Sequence, residues 1–317
     1  MNRRAAFFLV GPTASGKTAV STEIARRTGA LVLSADSMLV YRGMDVGTAK
    51  PSPAELAGTD LRGVDLVAPD EPFGAGAWLR HAKAAFDEAD AAGRDVVVAG
   101  GTGFWVSALL RGIDAPPPDP VRRAELARLA QAPDGPEKLR AAAEALMPGS
   151  TAKIAADNPR RLVRLVEILE SGARPGSFRE TAERTRALPA MAGLWFEPEA
   201  LAARIEARAR AMFAGGALLR ETGVLVADHP GFERSTAGAG IGYAEALAVL
   251  RGEIDEEEAV SRTAARTRRL AKKQRTWWRH QEAVEWVPGP SDARDVGRAA
   301  DAVMQIWRKN GKTPVSI

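Results

Sequence analysis

A chain of 317 residues has room for two domains, or for one large domain carrying an insertion. With 45% hydrophobic and 26% charged residues, and no apolar run near the roughly 20 residues that span a bilayer, it reads as a water-soluble globular protein without a membrane anchor. The absence of cysteine excludes disulfides and Cys-ligated zinc and fits a reducing interior, while the net charge of only +4 is unevenly spread, acidic over 255–258 and strongly basic over 262–279, an asymmetry compatible with nucleic acid as a partner.

Residues 5–10 (AAFFLV) suit a buried strand. Arg3 and Arg4 precede it, but the run is too short for a signal peptide. It leads directly into Gly11-Pro12-Thr13-Ala14-Ser15-Gly16-Lys17-Thr18, which reads G-x-x-x-x-G-K-T, a complete phosphate-binding loop. Its glycines let successive backbone N–H groups aim at phosphate oxygens; Lys17 adds a mobile positive charge and the Thr18 hydroxyl suits Mg²⁺. Residues 18–28 follow with Val20, Ile24 and Arg27 at helical spacing, so the loop sits between strand and helix. A polyphosphate binds here, and the loop alone does not say which.

A second strand, 30–33, runs into Ser34-Ala35-Asp36-Ser37. Loops beyond the carboxyl ends of parallel strands form the ligand crevice, so Asp36 either faces that crevice or caps the next turn. The loop at 38–51 combines Tyr41, Arg42, Asp45, Thr48 and Lys50 and is too polar for a simple connector. Residues 75–92 read as a helix with Trp78, Ala82, Ala85, Phe86 and Ala89 inward. Residues 95–99 (DVVVA) form a third strand ending in Gly100-Gly101-Thr102-Gly103. A kinase or ATPase usually carries an acidic residue at such a strand end to hold Mg²⁺; glycines here leave room for another group and speak against ordinary ATP hydrolysis.

Pro116-Pro117-Pro118-Asp119-Pro120 is a rigid break. Beyond it, 121–186 is rich in Ala, Arg and Glu and helical in period. A helix starting at Asp157-Asn158-Pro159 places Leu162, Leu165, Val166 and Leu169 on one stripe and Arg160, Arg161 and Arg164 off it. Residues 194–196 return to the sheet, and 198–213 form a helix. Residues 255–281 form a long helix, acidic at its start and basic at its end, which complements the macrodipole. Arg262, Arg266, Arg269 and Lys273 recur along it as a stripe suited to phosphate contacts. Trp277 and Trp278 stack on bases or pack in the core. His81, His229 and His280 show no metal-ligand spacing, and a last short helix lies near 296–307. The expected architecture is therefore α/β: a P-loop NTPase-like, three-layer core with a parallel sheet, carrying an all-helical insertion. Its bounds are 1–115 and 189–317 for the core and 116–188 for the insertion.

Taken together, GPTASGKT, SADSMLVYRGMDVGTAKP and GGTGFW resemble the tRNA dimethylallyltransferases, also called tRNA isopentenyltransferases. The likeness continues through NPRRL at 158–162 and RTRRLAKKQRTW at 266–277 and covers most of the chain. It implies transfer of a dimethylallyl group from dimethylallyl diphosphate to the exocyclic amine of the adenosine just 3′ of the anticodon in tRNA, by a monomer that uses Mg²⁺. Asp36 would be the base, and residues 11–18 would hold the diphosphate. Thr13 would bond its oxygens, and Lys17 and a Thr18-bound Mg²⁺ would stabilise it as it leaves. The matching tRNA contacts are Asp36, Ser37, Met38, Leu39, Thr102, Arg123, Arg160, Arg161, Leu162, Val163 and Arg164. The chain departs from the family at Ala239 and Thr222, each standing where the family carries an arginine; Arg220, close to Thr222 in the chain, is the candidate substitute. The rival readings are a dimethylallyltransferase acting on free adenine nucleotides, a P-loop kinase, and a tRNA-binding protein that has lost catalysis.

Overall fold

A computed structural model of the chain describes residues 4–56, 58–113, 119–152, 154–155, 158–173 and 188–317. Most of the proline break, Asp157 and the end of the predicted helical stretch lie outside the described residues. In chain order the elements are β1 (Ala5–Val10), α1 (Lys17–Thr28), β2 (Leu31–Ser34), α2 (Pro53–Leu56), β3 (Leu61–Arg62), α3 (Ala75–Ala91), β4 (Val96–Gly100) and α4 (Gly103–Arg111). Then come α5 (Pro120–Ala130), α6 (Gly135–Leu146), α7 (Pro159–Glu170), β5 (Met191–Trp195), α8 (Pro198–Phe213), α9 (Ala217–Asp228), α10 (Tyr243–Leu250) and α11 (Glu256–Gln281). The last are β6 (Val284–Pro288), α12 (Val296–Asn310) and β7 (Thr313–Pro314). Two compact units result: Met1–Gly112 with Thr185–Ile317, and Ile113–Arg184.

The first unit is built on a sheet of order β3-β2-β4-β1-β5-β6, parallel throughout. β7 departs from the parallel expectation, pairing antiparallel with the start of β1. Strand residues alternate between two buried faces, as the two-residue repeat of a strand requires. Phe8, Val10, Leu31, Leu33, Val96 and Val98 pack with Trp78 and Phe86 of α3. Leu9, Val32, Val97 and Leu194 pack on the other side with Val20 and Ile24 of α1 and Val303 and Trp307 of α12. Two buried indoles peg these layers to the sheet, Trp78 Nε1 donating to Ser34 O at 2.9 Å and Trp307 Nε1 to Phe8 O at 3.1 Å. Arg27 lies off the buried face of α1 and pairs with Glu23 and Asp301. Because β2 and β4 lie on one side of β1 and β5 on the other, the chain reverses its winding direction there. The loops after β1 and β4 thus diverge and leave a crevice.

The second unit is helical. Its core is Leu126 of α5, Leu139 and Ala143 of α6, and Leu162, Val163, Leu165 and Val166 of α7. Asp119 caps α5 by accepting from the N–H groups of Val121 and Arg122, and Asn158 caps α7 by accepting from that of Arg161. Glu167 is buried on α7, and Arg123 compensates it with two bonds of 2.7 and 2.6 Å.

Candidate active site

The phosphate loop connects β1 to α1, and Gly16 makes its last turn possible. At φ 83° it occupies the left-handed region, and a Cβ there would lie 2.8 Å from Pro290 Cγ. No side chain caps α1, so its first-turn N–H groups stay open to an anion. Lys17 Nζ donates to Pro12 O at 2.6 Å. Burial pushes the Lys17 ammonium down to about 8, with Asp36 opposing the shift and Arg208 adding to it. Thr18 is exposed on the first turn, and its hydroxyl makes no hydrogen bond among the described residues. Ser15 is fully buried.

Asp36 lies two residues beyond the end of β2. Its Oδ1 accepts from the Met38 N–H at 2.9 Å, so it does close the next turn; it also lines the cavity that opens beside the phosphate loop. The two readings of Asp36 are compatible, because one carboxylate oxygen suffices for the turn. Thr102 Oγ1 accepts from the Ser37 N–H at 3.1 Å, which ties the loop after β2 to the loop after β4.

Protein atoms approach the first two glycines after β4 closely. A Cβ at Gly100 would collide with the Ala35 backbone, and one at Gly101 would lie 2.5 Å from Gln274 Nε2. Gln274 reaches in from α11, accepting from the Thr13 N–H at 2.8 Å and donating to Gly101 O at 3.0 Å.

The cavity has a volume of about 440 Å³. Asp36, Ser37, Met38 and Thr102 contribute to its wall, and Thr13 alone represents the phosphate loop. Ile205, Ala209 and Met212 of α8 with Leu270 and Trp277 of α11 supply an apolar surface. Arg208 stands among them. Its Nη2 donates to Thr48 O at 2.9 Å and its Nη1 lies 3.5 Å from Thr13 Oγ1. Its Nε is shielded from solvent without a hydrogen-bond partner, and burial lowers its affinity for its proton against the pull of Asp36. A guanidinium so placed is poised for an anion.

Comparison with known proteins narrows what this geometry serves. The model of the IPP transferase family matches residues 39–281, and that of isopentenyl transferases matches 4–64. The chain belongs to the IPP transferase family. It is 43% identical over 297 residues to a tRNA dimethylallyltransferase of Anaeromyxobacter dehalogenans, covering 92% of this chain and 98% of the relative. It is 37% identical over 304 residues to one of Geobacillus kaustophilus, covering 95% and 94%. The crystal structure of a tRNA isopentenylpyrophosphate transferase from Bacillus halodurans superposes with a TM-score of 0.68 at 29% identity, covering 96% of this chain and 97% of that one. A eukaryotic dimethylallyltransferase acting on tRNA shares the fold at TM-score 0.73 and 21% identity, over 96% of this chain and 76% of that one.

Several sequence expectations shift once this prenyl transferase is folded. Of the residues singled out as contacts for tRNA, Leu162 and Val163 belong to the apolar core of the helical unit and Leu39 is buried. Arg123 and Arg164 both hold Glu167, whereas Arg160 and Arg161 are exposed. Arg220 is exposed, donates to Gly215 O and is not part of the cavity wall, while Thr222 is fully buried. Of the cations that line the cavity, Arg208 is the one beside Thr13. The stripe on α11 divides, with Arg262 held by Glu258, Arg266 bonded to Glu245 and Ala239 O, and Arg266 and Lys273 facing the cavity. Trp278 is core and Trp277 lines the cavity. The polar loop at 38–51 is held internally. Glu221 accepts from the N–H groups of Asp45, Val46 and Gly47 and from the Tyr243 hydroxyl, and Lys50 is bonded to Asp45 and Asp65. Sequence reasoning passed over Arg208, Gln274 and Glu221. One signal was present for Arg208, a charge adjoining the buried positions Leu201, Ile205, Ala209 and Met212 of α8.

Proposed function

We propose that this prenyl transferase moves a dimethylallyl group from dimethylallyl diphosphate to the exocyclic amine of the adenosine 3′-adjacent to the anticodon in tRNA, releasing diphosphate. The observation that carries the reading is the make-up of the cavity wall. A carboxylate (Asp36), a partly unpartnered guanidinium (Arg208) and an apolar surface (Ile205, Ala209, Met212, Leu270) share it. The reaction calls for those three things: a proton acceptor, a counter-charge for the leaving group, and a dry surface for a five-carbon chain.

The adenine amine is a weak nucleophile because its lone pair is delocalised into the ring. Asp36 accepts a hydrogen bond from it and takes its proton as the N–C bond forms and the C–O bond to diphosphate breaks. Loop amides, Lys17 and Arg208 meet the charge that develops on the departing oxygen, and Thr13 bonds the same group. The apolar wall keeps water from the allylic carbon as it gains cationic character. The amine is hidden while the base is stacked, so the adenosine enters extruded.

The donors near the phosphate loop fit a magnesium ion. Thr18 offers one exposed hydroxyl, and no cluster of three or more acidic or histidine side chains suited to a metal exists among the described residues. The diphosphate itself then supplies most of the oxygens, as Mg²⁺ tolerates. Bound there, Mg²⁺ would neutralise charge on the leaving diphosphate. Arg160 and Arg161, exposed on α7, are suited to tRNA phosphates. The enzyme acts as a cytoplasmic monomer in this reading; among the described residues no helix is long and apolar enough to cross a membrane.

The test is a transfer assay with unmodified tRNA, labelled dimethylallyl diphosphate and Mg²⁺, with AMP as a competing acceptor and no ATP. Label in tRNA alone is expected. Label in AMP alone would transfer the assignment to free nucleotides, and label in neither with tRNA still bound would leave a binding protein.

A further inference from the structure

We infer that Gln274 is a positioning residue that withdraws the Thr13 amide from the phosphate-binding set and thereby presents the Thr13 side chain to the reaction. The inference rests on the proposed prenyl transfer for its kinetic part only.

Phosphate loops work by pointing consecutive backbone N–H groups at one anion. Here the Thr13 N–H is already committed, at 2.8 Å, to Gln274 Oε1. The same carboxamide donates to Gly101 O at 3.0 Å, so both of its ends are used and its orientation is determined. The bridge joins the loop after β1 to the loop after β4, the two segments flanking the crevice, by a side chain from a third element, α11. Gly101 permits it, since a Cβ at that position would lie 2.5 Å from Gln274 Nε2. Thr13, Gly101 and Gln274 all line the cavity, beside Arg208, whose Nη1 lies 3.5 Å from Thr13 Oγ1.

With its amide held back, Thr13 meets the ligand through its side chain. The diphosphate is left to the amides nearer α1, to Lys17 and to Arg208. Thr13 lines the cavity with the apolar wall, so its hydroxyl is the loop's contact for the oxygen that departs from the allylic carbon. Loss of the bridge therefore has two opposite effects. Thr13 becomes less well placed for the chemical step, while its released N–H becomes one more donor for a bound anion. A residue that only kept the loop folded would weaken both together.

Gln274→Met keeps the length of the side chain and removes both hydrogen bonds. Gly101→Ala breaks the same bridge from the other side by displacing the carboxamide. Either variant should lower kcat about tenfold, in line with the cost of a slightly misplaced reacting group, with inorganic pyrophosphate bound as tightly as by the wild type or more tightly. On a Thr13→Ala background, Gln274→Met should lower kcat less than about threefold, because the two residues act through one interaction. Pyrophosphate affinity falling in parallel with kcat in both variants would overturn the inference, as would full multiplication of the Thr13→Ala and Gln274→Met effects. The calorimetric comparison with pyrophosphate reads the bridge whether or not prenyl transfer is the reaction; absence of transfer by the wild type would instead overturn the proposed function.

Discussion

Replacing Arg208 by methionine separates a binding role from a structural one, because the two predict opposite results. In the free protein the guanidinium has one good partner, Thr48 O at 2.9 Å, a long contact to Thr13 Oγ1 and an Nε with none. Losing the bond to Thr48 O costs about 1 kcal/mol. Removing a poorly compensated, partly buried charge returns a similar or larger amount. The ligand-free variant should therefore unfold within about 1 kcal/mol of the wild type, or above it. Binding is another matter, since a charge-assisted bond to diphosphate contributes about 1.5–3 kcal/mol. Pyrophosphate affinity should fall by about 10- to 150-fold. The stabilisation that pyrophosphate gives the wild type by mass action should shrink accordingly. Thermal unfolding with and without pyrophosphate, together with calorimetry, reads both quantities. A variant that unfolds several degrees lower and still binds pyrophosphate normally would refute the reasoning and make Arg208 a structural link between α8 and Thr48.

Asp36→Asn should reduce transfer by about 10²- to 10⁴-fold, with tRNA affinity nearly unchanged in a filter-binding assay; transfer at the wild-type rate would remove Asp36 as the base. Lys17 gives a pH dependence whose sign can be worked out. Its folded value of about 8 lies below its ordinary 10.5, so between those values the unfolded chain holds more protons than the folded one and ligand-free stability should rise with pH. Pyrophosphate affinity should fall over the same window as the ammonium is lost, and Lys17→Met should flatten both trends in unfolding and binding titrations. Charge reversal at Arg160 and Arg161 should reduce the slope of log affinity for tRNA against log salt by about 1.5–2; an unchanged slope would make them part of a solvated face.

The two ends of the reaction were unequally legible in the sequence. The phosphate loop is a contiguous motif whose function depends on local backbone geometry, so GPTASGKT between a strand and a helix announced itself. Asp36 was legible as a position in the loop that follows β2, but not as a side chain that both closes a turn and lines a cavity. The glycines after β4 were read as room for another group. They are room for Ala35 and Gln274, because a missing Cβ signals close approach without naming what approaches. Thr222 and Arg220 drew notice through their place in a resemblance, while the arginine beside the phosphate loop came from α8.

The sequence by itself determined the α/β architecture, the strand–loop–helix form around GPTASGKT, the helices between 120 and 170 and the family, since all four rest on short-range periodicity and contiguous motifs. Tertiary structure decided which side chains meet at the cavity. Arg208 lies 195 residues from Thr13 along the chain, and Gln274 lies 261 residues from it. Contacts over such separations leave no periodic trace in either segment. They arise only when packing of α8 and α11 against the sheet brings a guanidinium and a carboxamide to the end of β1, where burial and hydrogen-bond satisfaction then determine what each can do.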